Sequence, residues 1–143
     1  MARVKIALPE VWAHRLPLTV RITDVNYGGH VGNDTLPAYL QEARVDWLRT
    51  LGYPSELLAP PVGLILVDLA VRLKAEAKHG DLLEVRLAVA EWTRTGFELV
   101  YQVARTSDGA EVARATTGFT FFDYSARRMA AAPPGFREKA GSG

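Results

Sequence analysis

The stretch NDTLPAYLQEARVDWLRTLG, residues 33–52, decides the fold. From Asp34 to Leu51 the apolar residues Leu36, Leu40, Ala43, Trp47 and Leu51 recur at offsets of four, three, four and four, the spacing that lines one face of an α-helix. Asn33 or Asp34 can cap its start, Pro37 is tolerated in a first turn whose amides are unpaired, and Gly52 with Pro54 ends it. Such a stripe must be buried, and each large apolar side chain so buried contributes about 1.5–3 kcal/mol. The helix is therefore expected to be the central pillar of the core.

The flanking sequence says what packs on that pillar. Before it, Leu18, Val20 and Ile22 alternate with Thr19, Arg21 and Thr23 as in a half-buried strand, and Asn26, Gly28 and Gly29 then crowd into a loop. After it, Gly63 to Glu76 alternates Ile65, Val67, Leu69, Val71 and Leu73 against Asp68, Arg72, Lys74 and Glu76. Strands are predicted from Leu83 to Glu91, Phe97 to Arg105 and Glu111 to Asp123, set apart by turn-forming segments at Lys78–Asp81, Thr93–Gly96 and Asp108-Gly109. Strand, loop, long helix and then a meander is an α+β order: an antiparallel β-sheet wrapped around one long central α-helix. Residues 1–130 read as a single domain, and the small, polar, proline-rich residues 131–143 as a loosely ordered C-terminal tail.

Composition removes several classes of function. With 143 residues, 48% of them hydrophobic and 23% charged, the chain has the size and make-up of an ordinary globular domain. A net charge of +1 is not the strongly basic footprint of a nucleic-acid binder, so no nucleic-acid partner is expected. The absence of cysteine excludes disulfides, thiolate nucleophiles and thiolate-bound zinc. His14, His30 and His79 are too scattered to point to a metal site. The N-terminal residues interrupt their apolar run with Lys5, Pro9, Glu10, His14 and Arg15, and no run approaches the roughly 20 apolar residues of a membrane span, so a cytoplasmic location without membrane attachment is expected.

The segment RITDVNYGGHVGNDTLPAYLQEAR, residues 21–44, carries a family signature. It resembles the 4-hydroxybenzoyl-CoA thioesterase branch of the hotdog superfamily, where a strand ends in D-x-D-x-x-G-H-V-N-N and leads to a helix with Y-x-x-Y-x-E-x-A-R. Asp24, Gly29, His30, Val31, Asn33, Tyr39, Glu42, Ala43 and Arg44 match that pattern without gaps. The resemblance implies a hotdog fold, a homodimer that can pair further into a homotetramer, and active sites between subunits. It implies an acyl-CoA substrate, with coenzyme A as part of the substrate and no separate cofactor. The thioester carbonyl would face backbone amides around Asn33 and Asp34, in a pocket to which Gly29 and Tyr39 also contribute. The positive end of a helix suits a developing oxyanion.

Two departures define the chemical problem. Asn26 stands where the family's second Asp acts as nucleophile or base, and Gly32 replaces the first Asn of the N-N pair. An amide neither attacks a thioester well nor takes a proton from water, although Asn26 can orient a water or the carbonyl. Asp34, at the loop-to-helix junction, is the first candidate base, with capping as its structural alternative. Glu42, on the flank of the apolar stripe, is the second, with a solvated flank or an ion pair as its alternative. His30 has the intrinsic pKa for acid–base work near neutrality, or else shapes its glycine-flanked loop. Asp24 is expected to fasten the loop. Arg72 and Lys74 either reach the phosphates of coenzyme A or are solvated charges on an open strand face. The leading reading is thioester hydrolysis by an activated water; a non-catalytic acyl-CoA-binding protein and an acyl-thioester dehydratase using His30 and Glu42 are the alternatives.

Overall fold

The computed structural model describes residues 3–141. Its elements are β1 (His14–Thr19), a 3-10 turn (Ile22–Asp24), α1 (Leu36–Thr50), β2 (Val62–Leu73), β3 (Leu82–Trp92), β4 (Gly96–Arg105), β5 (Glu111–Asp123), β6 (Arg128–Met129) and α2 (Phe136–Lys139). The strands form one sheet in the order β1-β3-β4-β5-β2, with β6 on β5, and every pairing is antiparallel. The expected wrapped-sheet α+β architecture is therefore present.

The stripe on α1 is buried as its spacing requires. Leu36, Leu40, Ala43 and Trp47 are at most 2% exposed, packed against Leu83, Val85 and Leu87 of β3 and Leu99 and Tyr101 of β4 in one continuous core; Leu48, outside the expected stripe, is also fully buried, and Leu51, its last member, is half-buried against that core. The helix stops at a glycine because the reversal needs a left-handed residue: Gly52 has φ +97°, its N–H reaches Arg49 O, and the Tyr53 N–H reaches Leu48 O. The start differs from expectation. Neither Asn33 nor Asp34 caps it; Thr35 immediately precedes the helix without a capping side-chain bond, and the amides of Thr35 and Leu36 donate to Gly32 O at 3.0 and 3.2 Å.

The first strand lies earlier than its alternation indicates. β1 ends at Thr19 because Asp24 turns its carboxylate back to the Arg21 N–H at 3.0 Å, winding the chain into the 3-10 turn and leaving Ile22 exposed. The reading of residues 131–143 as a loose tail fails over the described residues. Gly135, at φ +82°, redirects the chain so that Phe136 enters the core fully buried, with ring centroids 5.4 Å from Tyr53 and 5.5 Å from both Phe97 and Phe121. One large aromatic outweighs its polar surroundings, because burying it removes more apolar area from water than the short segment has to order. Residues 142 and 143 lie outside the described residues.

Two surfaces bear on the site. The N-terminal arm crosses the outer face of the sheet, where Arg114 donates to Ile6 O at 2.9 Å and Arg72 to Val4 O at 3.5 Å. The free edge of the sheet on the other side is β2, which exposes Leu66, Val67, Leu69 and Leu73. Among the described residues no helix is long and apolar enough to cross a membrane.

Candidate active site

The site grows from the loop between the 3-10 turn and α1. Val25 and Val31 pair across it, the Asn26 N–H donates to His30 O and the Gly29 N–H to Asn26 O, both at 2.9 Å, with Gly29 at φ +80°. The Asn26 side chain is spent on the same turn, its Oδ1 accepting the Gly28 N–H at 2.9 Å. The loop is pinned to the chain following β2 by the Val31 N–H to Ala77 O bond, 2.8 Å, and a bridge between His30 and Lys78. At its base Asp24, only 6% exposed, accepts the Arg21 N–H and, at 2.7 Å, the Tyr39 hydroxyl. Burial alone would raise the pKa of Asp24, but the Arg21 N–H, the Tyr39 hydroxyl and the Arg21 side chain together outweigh it and hold the carboxyl below its ordinary value.

Between this loop, the mouth of α1 and the end of β2 lies a cleft of about 820 Å³. Asn26, His30, Asn33 and Asp34 line one side of it, Lys74 and Glu76 the other, with Leu36 and Val112 among its apolar lining. Thr35 and Leu36 spend their amides on Gly32 O, whereas the N–H groups of Asn33 and Asp34 have no hydrogen-bond partner among the described residues. They stand at the positive end of a four-turn helix, the environment in which an oxyanion is stabilised. Among the described residues no group of three or more His, Asp or Glu is placed to hold a metal.

The comparisons with known proteins agree with this geometry. The family model of the thioesterase-like superfamily matches residues 20–140. The chain belongs to the thioesterase-like superfamily. No curated protein matches it significantly. Among solved structures it is similar to a 1,4-dihydroxy-2-naphthoyl-CoA thioesterase from Synechocystis, at 22% identity and TM-score 0.81 over 89% of this chain and 94% of that one. A hypothetical protein from Thermus thermophilus is 26% identical, with TM-score 0.80 over 89% and 96% of the two chains. A putative thioesterase from Pseudomonas aeruginosa is 21% identical, with TM-score 0.83 over 92% and 100%. The fold is the hotdog fold.

In this thioesterase-like chain the residues singled out from sequence fall into two groups. Asn26, His30, Asn33, Asp34 and Lys74 meet in the one cleft; Gly29, Tyr39, Glu42 and Arg72 do not line it. Tyr39 is 3% exposed and engaged with Asp24, so it holds the loop rather than a ligand; burial and that carboxylate push its phenol pKa up. Glu42 is exposed and borders a separate cleft with Arg21, Thr35 and Val45. Arg72 is turned to the N-terminal arm. Gly29 serves the turn, its contribution being its left-handed backbone. Lys74 borders the cleft but is paired with Glu111 at 2.9 Å, a carboxylate that also accepts from Arg114 and Gln102 and is held at a pKa of about 2 by those three bonds against the opposing effect of burial.

His30 has its Nδ1 3.3 Å from Val31 O, and its Nε2 faces Glu76 Oε1 at 3.9 Å. Glu76 had shown in the sequence only as a polar strand position. A buried network was also missed: Arg44 donates to Glu56 at 2.8 Å and to the Tyr101 hydroxyl at 3.1 Å, with its guanidinium 4.8 Å from the Phe119 ring centroid. Arg44 sits on the stripe side of α1, and nothing local to residue 44 announces partners at 56, 101 and 119.

Proposed function

We propose that this chain is an acyl-CoA thioesterase in which Asp34 activates the attacking water. The observation that carries the reading is the meeting, at the mouth of α1, of a carboxylate with the two unpartnered amides of Asn33 and Asp34. The thioester oxygen is to sit on those amides. A water then gives a proton to the Asp34 carboxylate as its oxygen bonds to the carbonyl carbon, and the tetrahedral intermediate collapses with loss of the C–S bond. The proton leaves with the coenzyme A thiolate, yielding a carboxylic acid and a free thiol. Removing one oxyanion donor of this kind typically costs about 2.7–4 kcal/mol in the transition state. Asn26, its oxygen held by Gly28, orients rather than transfers protons, and Lys74, on the rim and paired with Glu111, is proposed to meet a phosphate of the substrate. Membership of the superfamily and the fold shared with the Synechocystis 1,4-dihydroxy-2-naphthoyl-CoA thioesterase support a CoA thioester as the substrate class.

We also propose that the working unit is a homodimer, because the open edge of β2 presents unpaired backbone groups and a row of apolar side chains that need cover. Sedimentation is expected to give a dimer at micromolar concentration; a stable monomer there excludes the proposal. The reaction itself is tested by free-thiol release over short, long and aromatic acyl-CoAs. Thiol appearing with an equal amount of acid supports hydrolysis. Tight binding without thiol favours a carrier or sensor of acyl-CoA, and an enoyl product without thiol favours dehydration.

A further inference from the structure

Gly32 is a glycine that its backbone does not require. It is absent from the left-handed glycines of the chain, so an alanine fits its conformation, and its carbonyl would accept the Thr35 and Leu36 amides as before. What a Cβ at this buried position would meet is Oδ1 of Asp34, the mobile end of a side chain, with the Asn26 Cβ at 3.8 Å in ordinary contact. The space left by the missing side chain is where the Asp34 carboxylate turns back from the helix mouth towards Asn26.

We infer that Gly32 is a positioning residue whose missing side chain admits the Asp34 carboxylate into the cleft, so that Asn26 and Gly32, the two departures from the family signature, work as a pair. An acid lost at 26 is replaced from 34, and the replacement needs residue 32 to be small. The inference rests on Asp34 being the base. A side chain at 32 would rotate the carboxylate towards solvent, away from the amides of Asn33 and Asp34, where a water it activates no longer faces the thioester carbon.

The test is Gly32→Ala, Asp34→Asn and the double variant, read as kcat, KM and melting temperature. Gly32→Ala is expected to keep the parent's melting temperature or exceed it, since alanine reduces the freedom of the unfolded chain. Its kcat should fall about 10²-fold with KM nearly unchanged, the mark of a positioned base withdrawn from the transition state. The double variant should be no slower than Asp34→Asn alone, because both changes remove the same group. Adding Asn26→Asp to Gly32→Ala should restore turnover, since an acid at 26 does not need the space at 32. Full turnover by Gly32→Ala beside a slow Asp34→Asn overturns the pairing and leaves Asp34 as base. Full turnover by both overturns the base assignment, and this inference with it. Losses that multiply in the double variant also overturn it, since Gly32 would then act on something other than Asp34. If Gly32→Ala and Gly32→Ser both fail to fold, the glycine serves the backbone and the inference is wrong.

Discussion

Asp34→Asn is expected to lower acyl-CoA turnover about 10²–10⁴-fold while leaving the protein folded with its parent's melting temperature. The size of the loss follows from what a positioned general base contributes. The absence of a structural cost follows from the geometry at the start of α1. Had Asp34 capped the helix, its replacement would be a stability experiment as well as a chemical one. Helix initiation instead runs through the backbone, from the Thr35 and Leu36 amides to Gly32 O, and involves no side chain of residue 34. Asparagine has nearly the shape of aspartate and lacks only the capacity to take the proton. If Asp34→Asn turns over normally, the base lies elsewhere in the same cleft, and His30→Ala is the next variant to measure. Glu42, exposed on a different cleft, ranks behind it.

Phe136→Ala is expected to destabilise the fold by about 3–5 kcal/mol, the usual range for emptying a buried phenylalanine site. The side chain is fully buried, and its ring meets Tyr53, Trp92, Phe97 and Phe121 at centroid distances between 5.4 and 6.1 Å. Those partners come from the loop after α1 and from β3, β4 and β5, so the C-terminal segment ties the chain leaving the helix to three strands of the sheet. The cavity left by alanine cannot be refilled without moving several strands. Urea unfolding measures it: the midpoint should fall with the slope unchanged. A loss below about 1 kcal/mol, the size typical of an average point mutation, would mean that Phe136 does not close the core in solution.

Which features were legible in the sequence follows from how local their causes are. The stripe of α1 and the alternation of β3 to β5 are written in residues three, four or two apart, and the structure reproduces those elements closely; β2 instead ends at Leu73 rather than Glu76, and Ile65, Val67, Leu69 and Leu73 of its expected apolar row are exposed. The first strand was misplaced because its end is set by a side chain, that of Asp24, which overrides the pattern of Leu18, Val20 and Ile22. Phe136 was overlooked because a lone aromatic has no period. At the site, Asn26, His30, Asn33 and Asp34 come together because nine consecutive residues supply them. Tyr39 was assigned through the resemblance and Glu42 and Arg72 by type and position, and their actual partners or surroundings lie across the fold: Asp24 for Tyr39, a second cleft for Glu42, and the N-terminal arm for Arg72.

In the proposed reaction water, activated by Asp34, attacks the thioester carbon directly. A single turnover in heavy-oxygen water, with protein in excess over an acyl-CoA that it cleaves, tests it most directly. One heavy oxygen is expected in every molecule of carboxylic acid released and none in the Asp34 side chain, with thiol and acid formed in equal amounts. Acid carrying no heavy oxygen, with the label in Asp34 instead, would show the carboxylate attacking as a nucleophile and would contradict it.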